Sequence, residues 1–387
     1  MKRALLGPLL VALALRLVVV LATERAVADV ARYERVGRHL LDVSWNPYET
    51  KRLYPYPPPW AAAEAGAEWL ARRGVGSFPV DVKLPVLAAD LALVALLVAA
   101  ARAGRASPLA PWLYAVHPVA VLVGAAQGQF DAVPLLLLVL AVEEAARGRR
   151  DASALVLSAA IATKSFPVLA LPFLALDGQA SGRSAARYAA LALVPGALLL
   201  LPFALADAGA VARELFAYGG IADFGWTGVA RGAEWLATGS LPRSEAMFWP
   251  GAARASKVLF LVAWAGLVVA VRSGRLRLDA ARASLAAILA FLALYGLQSA
   301  QYLLWAVPLG LLRPGRASAA YAGAATVGLV GFYLFLAPGV LVPAPLEGHA
   351  LAWAGRLWVF GAAASLAASA GWLVVLLRSA ASVRAGS

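Results

Sequence analysis

The sequence contains no cysteine, and only 14% of its 387 residues are charged. Without cysteine the chain has no disulfide framework, no thiol nucleophile and no thiolate metal ligand. Its three histidines, His39, His117 and His349, lie far apart in the sequence, so no zinc-binding cluster is indicated. These shortages exclude disulfide-stapled secreted domains, thiol enzymes and cysteine- or histidine-based zinc sites.

Hydrophobic residues make up 62% of the chain and form many apolar stretches, several close to the roughly 20 residues that cross a bilayer. The net charge of +13 does not indicate nucleic acid, because the basic residues are not gathered with aromatic residues on one soluble surface. They lie in short connectors between apolar runs, such as 102–105, 147–150 and 272–277, as in cytoplasmic loops. The composition therefore predicts an integral membrane protein.

Holding the basic connectors on the cytoplasmic side predicts an all-α polytopic protein with about 11 to 12 membrane-embedded helices and both termini cytoplasmic. The first run is longer than an ordinary signal sequence, so we expect it to be retained although Ala26-Val27-Ala28 would suit a signal peptidase. Three loops are predicted on the outer side: 23–81, 206–253 and 338–352. The apolar runs are 4–22, 82–101, 108–124, 131–146, 152–176, 185–205, 254–271, 283–298, 300–312, 317–337 and 353–377.

The first outer loop, 23–81, has an amphipathic organisation of its own. Apolar residues recur at helical spacing opposite arginines over 29–41, which predicts a helix lying in the membrane interface, and a second helix is predicted at about 60–72. The segment between them is rich in proline and aromatic residues. That composition predicts extended geometry and belt-like contact with lipid headgroups.

Several ionisable residues are predicted at membrane depth, where each needs a partner or a function. Lys83 and Asp90 are seven residues apart on one helical face, which is compatible with a structural pair or with separate interhelical bonds. Run 152–176 begins and ends on the same side, so we expect a break near Lys164 and Pro167. A lysine at such a break is suited to an anion such as phosphate, the alternative being a side chain that extends to the interface.

Two further stretches carry polar groups among apolar ones. Gln127, Gln129 and Asp131 lie at a predicted outward turn, where Gln127 and Asp131 can share a helical face unless Asp131 merely caps the following helix. Near the other end, polar and aromatic residues at i, i+3, i+4 and i+7 indicate a stripe that lines a cavity or joins helices. The residues of this stripe are Gln298, Gln301, Tyr302 and Trp305.

The first outer loop also supplies the best candidate for a general base. Asp29 follows the first apolar run, and Tyr33 is placed one helical turn later on the same face. A helix-capping aspartate is the alternative reading of Asp29. Asp42, at the end of the same helix, is less well placed.

The order of motifs over residues 1–310 resembles the GT-C superfamily of integral-membrane glycosyltransferases. The resemblance is to the branch of this superfamily that uses polyprenyl-phosphate-mannose. That branch includes the bacterial phosphatidylinositol-mannoside mannosyltransferases and also the GPI-anchor mannosyltransferases. The motifs are Asp29-x-x-x-Tyr33, Asn46-Pro47-Tyr48, Tyr54-Pro55-Tyr56-Pro57-Pro58, Gly128-Gln129-Phe130-Asp131, Thr163-Lys164-Ser165-Phe166-Pro167 and Gln301-Tyr302-Leu303-Leu304-Trp305. The resemblance implies a GT-C module over 1–205, with variable transmembrane helices over 206–387.

The resemblance also implies an inverting transfer of sugar from a polyprenyl-phosphate donor to a lipid-linked or surface acceptor, with Asp29 as catalytic base. Asp29 has no acidic neighbour, so we expect no metal and no other cofactor. The expected setting is the outer face of a bacterial plasma membrane. The donor-binding candidates are Lys164, Lys83, Gln129, Asp131, Gln301 and Tyr302, and the acceptor or outer-loop candidates are Tyr33, Tyr48 and His349.

Two other functions are compatible with parts of the pattern. Intramembrane lysine and aspartate beside broken helices are also typical of transporters, which makes a flippase for a lipid-linked sugar the alternative. A non-catalytic scaffold is the third interpretation, although it requires neither polar lining nor an outer carboxylate. The sequence shows no inverted repeat, and its long amphipathic outer loop favours an enzyme.

Overall fold

The computed structural model describes residues 3–25, 28–51, 53–177, 181–216 and 219–382. Within these residues nearly all regular structure is helical, and only two isolated β-bridges occur. The all-helical prediction is therefore confirmed. Residues 26 and 27 of the signal-peptidase motif lie outside the described residues.

The chain divides into two compact units. The first comprises residues 1–116, 120–171 and 180–218, and the second comprises 117–119, 172–179 and 219–387. The boundary at 205 that the sequence suggests stays a prediction. The helices are α1 (Arg3–Ala22), α2 (Ala28–Asp42), α3 (Pro59–Arg72), α4 (Phe78–Asp81), α5 (Leu84–Arg102), α6 (Ala110–Ala115), α7 (Pro118–Ala120), α8 (Ala132–Ala146), α9 (Arg150–Thr163), α10 (Leu171–Ala175), α11 (Gly182–Phe216), α12 (Gly225–Thr238), α13 (Pro250–Arg272), α14 (Ala280–Leu294), α15 (Val307–Leu311), α16 (Arg316–Phe335) and α17 (Gly348–Ser382).

Five helical stretches among the described residues are long and apolar enough to cross a membrane: 78–102, 182–216, 250–272, 316–335 and 348–381. Five shorter apolar helical stretches accompany them, including 6–22 and 280–294. Their length and composition indicate an integral membrane protein. The count of 11 to 12 membrane-embedded helices stays a prediction.

A buried ion pair joins α1 to α5. Arg16 Nε lies 2.8 Å from Asp90 Oδ2, and neither side chain is more than 1% exposed. The other guanidinium nitrogens donate to the carbonyls of Tyr114 and Ala115 in the last turn of α6, and the Tyr114 hydroxyl donates to Asp90. These contacts compensate charges that are costly at membrane depth. Of the two structural alternatives for Asp90, the separate interhelical bond is therefore observed.

Helices α2 and α3 have the amphipathic arrangement predicted for the first outer loop. Val30, Tyr33 and Val36 are at most 1% exposed, whereas Arg35 and Arg38 on the opposite face of α2 are exposed. At the far ends of the two helices, Arg72 donates two hydrogen bonds of 2.6 Å to the carboxylate of Asp42. These bonds lower the pKa of Asp42.

The segment between α2 and α3 departs from the prediction. Pro47–Thr50 is a 3-10 turn, and Tyr48, Tyr54 and Tyr56 are at most 8% exposed. The prediction of a headgroup belt was therefore wrong for these three rings. They pack edge-on against one another, because a buried aromatic cluster removes more apolar surface from water than a belt does.

Two predicted runs are interrupted. The break in run 152–176 is confirmed: α9 ends at Thr163, Lys164 has extended dihedral angles, and a 3-10 turn begins at Phe166. Run 108–124 is broken as well, because α6 ends at Ala115 ahead of Pro118, whose ring disfavours a helical residue before it. A π-helical turn, Val121–Ala126, then leads to the Gln127–Asp131 turn.

The predicted start of the loop 206–253 coincides with a break in helix α11. Asp207, within the span Gly182–Phe216, has dihedral angles that are not helical, so two helical segments meet there at a kink. The Asp207 side chain accepts from the backbone N–H of Ala210 and so caps the last part of the helix. Helix α12 then occupies the middle of the loop.

In the second unit the predicted polar stripe does not lie on one helix. Gln298 precedes the 3-10 turn Ala300–Leu304, pairs through its backbone with Phe224, and donates its side-chain amide to the carbonyls of Leu292 and Tyr295. The prediction of a single polar stripe was therefore wrong for Gln298. Its side chain instead donates to carbonyls that lack an intrahelical partner at the end of α14. The rings of Tyr302 and Trp305 are in tilted contact, with centroids 4.2 Å apart.

Candidate active site

The Gln127–Asp131 turn is shaped by its backbone. Gln127 and Gln129 donate their backbone N–H groups to the carbonyls of Leu122 and Val123, which are five and six residues earlier. Gly128 between them has a φ of +80°, and a Cβ there would lie 2.9 Å from Val30 Cγ2. Only glycine adopts this conformation without cost at so close an approach, so Gly128 allows the tight turn that carries both glutamines.

Asp29 is held by the two glutamines. Its Oδ2 accepts hydrogen bonds from Gln127 Nε2 at 3.1 Å and from Gln129 Nε2. Its Oδ1 lies 3.6 Å from Arg32 Nη1, and the Asp29 and Arg32 side chains are 20% and 34% exposed. The carboxylate therefore has one oxygen fixed by amides and one directed toward a partly exposed region.

Tyr33 orients one of these amides. Its hydroxyl donates to Gln129 Oε1 at 3.0 Å, which directs the amide nitrogen of Gln129 to Asp29. Burial raises the pKa of Tyr33 well above 10, so the hydroxyl keeps its proton and stays a donor. Asp29 and Tyr33, which the sequence places on one helical face, are thus joined indirectly through hydrogen bonds to Gln129.

Lys164 and Asp131 form a buried ion pair on the other side of the turn. Lys164 Nζ lies 2.7 Å from Asp131 Oδ2, and the two side chains are 8% and 0% exposed. Asp131 occupies the N-cap position of α8 without making a side-chain capping bond. The capping alternative is therefore excluded, and the carboxylate is the ion-pair partner of Lys164.

Aromatic rings surround the ammonium group of Lys164. It lies 4.8 Å from the ring centre of Phe130 and 5.3 Å from that of Tyr56, within the range of cation–π attraction. Phe130 stacks on Trp60 at 4.3 Å, and Tyr33 meets the edge of Trp60. Aromatic packing therefore joins the Asp29 group to the Lys164 group.

The two candidate lysines differ in their hydrogen bonds. Lys83 Nζ donates to Thr23 O, Thr23 Oγ1 and Ala126 O, all at 3.0 Å, which uses all three of its protons. Among the described residues Lys164 Nζ has one hydrogen-bond acceptor, Asp131, and otherwise faces aromatic rings. Lys164 is therefore the lysine that can bind a phosphate oxygen without breaking a saturated set of bonds.

The remaining candidates lie elsewhere. Tyr48 is buried in the aromatic cluster and donates to the Tyr56 carbonyl at 3.0 Å. Gln301 and Tyr302 belong to the second unit, and His349 is exposed in the first turn of α17. Their roles as donor or acceptor contacts stay predictions. Within the described residues no three histidine or acidic side chains are grouped so that they could hold a metal ion.

One buried residue had no signal in the sequence. Glu64 of α3 is fully buried, and among the described residues neither carboxyl oxygen has a hydrogen-bond partner. Burial raises the pKa of Glu64 well above 4.5, although the nearby Trp60 indole opposes the rise. On helical periodicity alone Glu64 is an ordinary polar residue of an interfacial helix, and only the packing of α3 shows otherwise.

Comparison with known proteins gives two findings and one negative result. In fold the chain is similar to the crystal structure of ArnT from Cupriavidus metallidurans bound to undecaprenyl phosphate, with 16% identity and a TM-score of 0.48 over 97% of this chain and 77% of that one. No curated protein sequence matches the chain. Residues 38–178 match the model of a family described as alpha-(1->6)-mannopyranosyltransferase, N-terminal domain.

The matched segment is less than half of the chain, but it carries most of the site. Gln127, Gln129, Asp131 and Lys164 fall within it, whereas Asp29 lies before it. The five long apolar helices among the described residues indicate an integral membrane protein. Its residues 38–178 are similar to the N-terminal domain of alpha-(1->6)-mannopyranosyltransferases.

Proposed function

We propose that the protein is an inverting glycosyltransferase that moves mannose from polyprenyl-phosphate-mannose to a hydroxyl of a lipid-linked or surface acceptor. The reaction takes place at the extracytoplasmic face of a bacterial plasma membrane. The observation that carries the proposal is the Asp29 carboxylate, held by two glutamine amides of a turn that also supplies the partner of Lys164. The family description of residues 38–178 supports mannose as the sugar.

The chemistry assigns a separate task to each charged group. The acceptor hydroxyl attacks the anomeric carbon of the sugar as the bond to the phosphate oxygen breaks, which inverts that carbon. Asp29 takes the hydroxyl proton on Oδ1, because Oδ2 is already engaged by Gln127 and Gln129. The polyprenyl phosphate leaves as an anion and needs no proton, so it requires a cation instead of an acid.

Lys164 is the cation suited to the leaving phosphate. Its ammonium group already lies in a low-polarity surround of Phe130 and Tyr56, where attraction to an anion is stronger than in water. Asp131 holds the lysine in place before the donor binds. When a phosphate approaches, the two protons of Lys164 that do not bond Asp131 are directed to it.

Transfer of labelled mannose from polyprenyl-phosphate-mannose by purified protein in lipid tests the proposal. We expect Asp29→Asn to abolish transfer, because the amide has no basic oxygen while it keeps the size of the carboxylate. Asp42→Asn is the matched control: it lies on the same helix, is exposed and is paired to Arg72. It should keep near-normal activity. Transfer by the Asp29→Asn protein at the wild-type rate excludes Asp29 as the base.

Two further measurements separate the alternatives. We expect EDTA to leave transfer unchanged, since the proposed chemistry uses no metal. In a separate binding measurement we expect Lys164→Ala to weaken binding of the donor more than binding of the acceptor, whereas equal effects contradict a phosphate contact. A folded protein that binds the lipid donor, moves it between leaflets and never transfers sugar is a flippase.

A further inference from the structure

The second unit contains a cavity of about 280 Å³ at the end of a candidate membrane span. This volume is roughly nine times that of a water molecule in the liquid, taken as about 30 Å³. Its walls are mainly apolar and include Phe173, Val268, Val271 and Leu276. A cavity with such walls is suited to a hydrocarbon segment.

Two arginines lie at this cavity, Arg272 at the last position of α13 and Arg277 in the connector that follows. Both are exposed, and among the described residues neither side chain has a hydrogen bond or ion pair. Asp177 also lines the cavity, so two positive charges face one negative charge and a net charge of +1 remains. The cavity therefore combines apolar walls with an uncompensated cationic entrance.

The turn after α13 fixes this arrangement. Gly274 has a φ of +67°, and the backbone N–H of Leu276 returns to the Ala270 carbonyl at 3.0 Å. This is the geometry with which a glycine ends a helix and reverses the chain. The reversal brings Leu276 and Arg277 back to the end of the helix that carries Arg272, so both arginines lie at the same end of this candidate membrane span.

We propose that this cavity binds an anionic phospholipid, with the phosphate between Arg272 and Arg277 and the first part of an acyl chain against Phe173 and Val271. Arginine side chains recognise phosphate oxygens through paired N–H donors. The apolar walls favour a lipid over a soluble anion, because they gain only from a ligand that carries hydrocarbon. The site lies within the second unit and does not depend on the transfer reaction.

Native mass spectrometry of the purified full chain, titrated with phosphatidylglycerol, tests the site. A basic residue near a membrane surface contributes about fivefold to the binding of an anionic lipid, so Arg272→Gln together with Arg277→Gln should weaken binding by about 30-fold. Arg275→Gln is the matched control, because Arg275 belongs to the same connector but does not line the cavity. It should change the affinity by less than a factor of two.

Three comparisons complete the test. Phosphatidylcholine should bind at least fivefold more weakly than phosphatidylglycerol, and equal binding overturns the proposal. Inorganic phosphate alone should not displace the lipid, and displacement would show a site for free phosphate instead. Loss of binding in the Arg275→Gln protein as large as in the protein with both Arg272→Gln and Arg277→Gln would show that general surface charge binds the lipid and would overturn the site.

One more variant guards against misfolding of the double variant. Val271→Trp keeps both arginines and fills the cavity, so it should lower phosphatidylglycerol binding without changing the charge. Unchanged binding in a folded Val271→Trp protein contradicts the proposed position of the acyl chain. The sugar-transfer rate measured in phosphatidylcholine alone should be the same in all of these proteins, which keeps the failure of this site separate from failure of the active site.

Discussion

Replacing Lys164 by methionine should destabilise the protein and abolish transfer for two different reasons. The substitution leaves Asp131, which is fully buried, without its cation, and breaking a buried ion pair in this way costs about 3–5 kcal/mol. Transfer is lost because the leaving phosphate has no cation. A single variant therefore does not distinguish a structural role from a catalytic one.

The double variant Lys164→Met with Asp131→Asn separates the two roles. Replacing both charges removes the uncompensated carboxylate, and a buried pair exchanged for neutral groups is often neutral in stability. We expect the free energy of unfolding of the double variant to lie within about 1 kcal/mol of the wild-type value. This result corresponds to a coupling energy of at least about 3 kcal/mol between the two side chains. Transfer should stay undetectable, because the cation is still missing.

Equilibrium unfolding in mixed detergent, measured beside labelled-sugar transfer, is the assay. The exposed pair of Arg187 and Asp151 is the control: its side chains are 69% and 56% exposed, so Asp151→Asn should cost no more than about 1 kcal/mol. Two results refute the reasoning. One is a double variant no more stable than its single variants, and the other is a stable double variant that transfers sugar at the wild-type rate.

Three other substitutions test the rest of the site. Tyr33→Phe removes the hydroxyl that orients Gln129, so kcat should fall about three- to tenfold with little change in the donor KM. Gly128→Ala forces alanine into a left-handed conformation against Val30, which should cost about 1–2 kcal/mol for the conformation and about 1–3 for the contact. The wild-type protein should lose folding stability as the pH rises, and Glu64→Gln should remove this pH dependence. The pKa of Glu64 is raised in the folded state, so wild-type stability falls by up to about 1.4 kcal/mol per pH unit as the pH rises from 4.5 toward that raised pKa.

Each of these substitutions has a control or a contrary outcome. Tyr321→Phe also deletes a buried hydroxyl and should leave kcat unchanged, so equal losses would contradict the special role of Tyr33. Gly74 has a φ of +71°, but a Cβ added there would meet no neighbouring atom within 4 Å, so Gly74→Ala should cost the conformational part alone. Thermal melts between pH 5 and 8 with the same slope for wild type and Glu64→Gln would show that Glu64 ionises freely in the folded protein.

The helices were predictable because hydrophobic run length and proline position depend on local sequence. For α13, the length of the hydrophobic run predicts a helix over 254–271, and the observed helix spans Pro250–Arg272. The break at Lys164 followed from the charge of the flanking connectors together with Pro167. The π-helical turn before Gln127 had no such signal, because it is defined by backbone hydrogen bonds that residue type does not specify.

The site was predictable only as a set of candidates. Lys83 and Lys164 are both lysines within apolar sequence, and only their hydrogen-bond partners distinguish a saturated ammonium group from one that can take a phosphate. Gln298 carried the same polar signal as Gln129 but closes the end of a helix. Residue type indicates which groups can act, whereas contacts between elements distant in sequence decide which of them are available.

The three hydrogen bonds of Lys83 have a consequence for motion during turnover. They join Thr23, at the end of the first helix, to Ala126, directly before the turn that carries Gln127 and Gln129. The chain leading to Asp29 and the chain leading to the amides that hold it therefore share one anchor. If the proposed lipid donor shifts the turn when it binds, this shared anchor couples the movement of the turn to the end of the first helix.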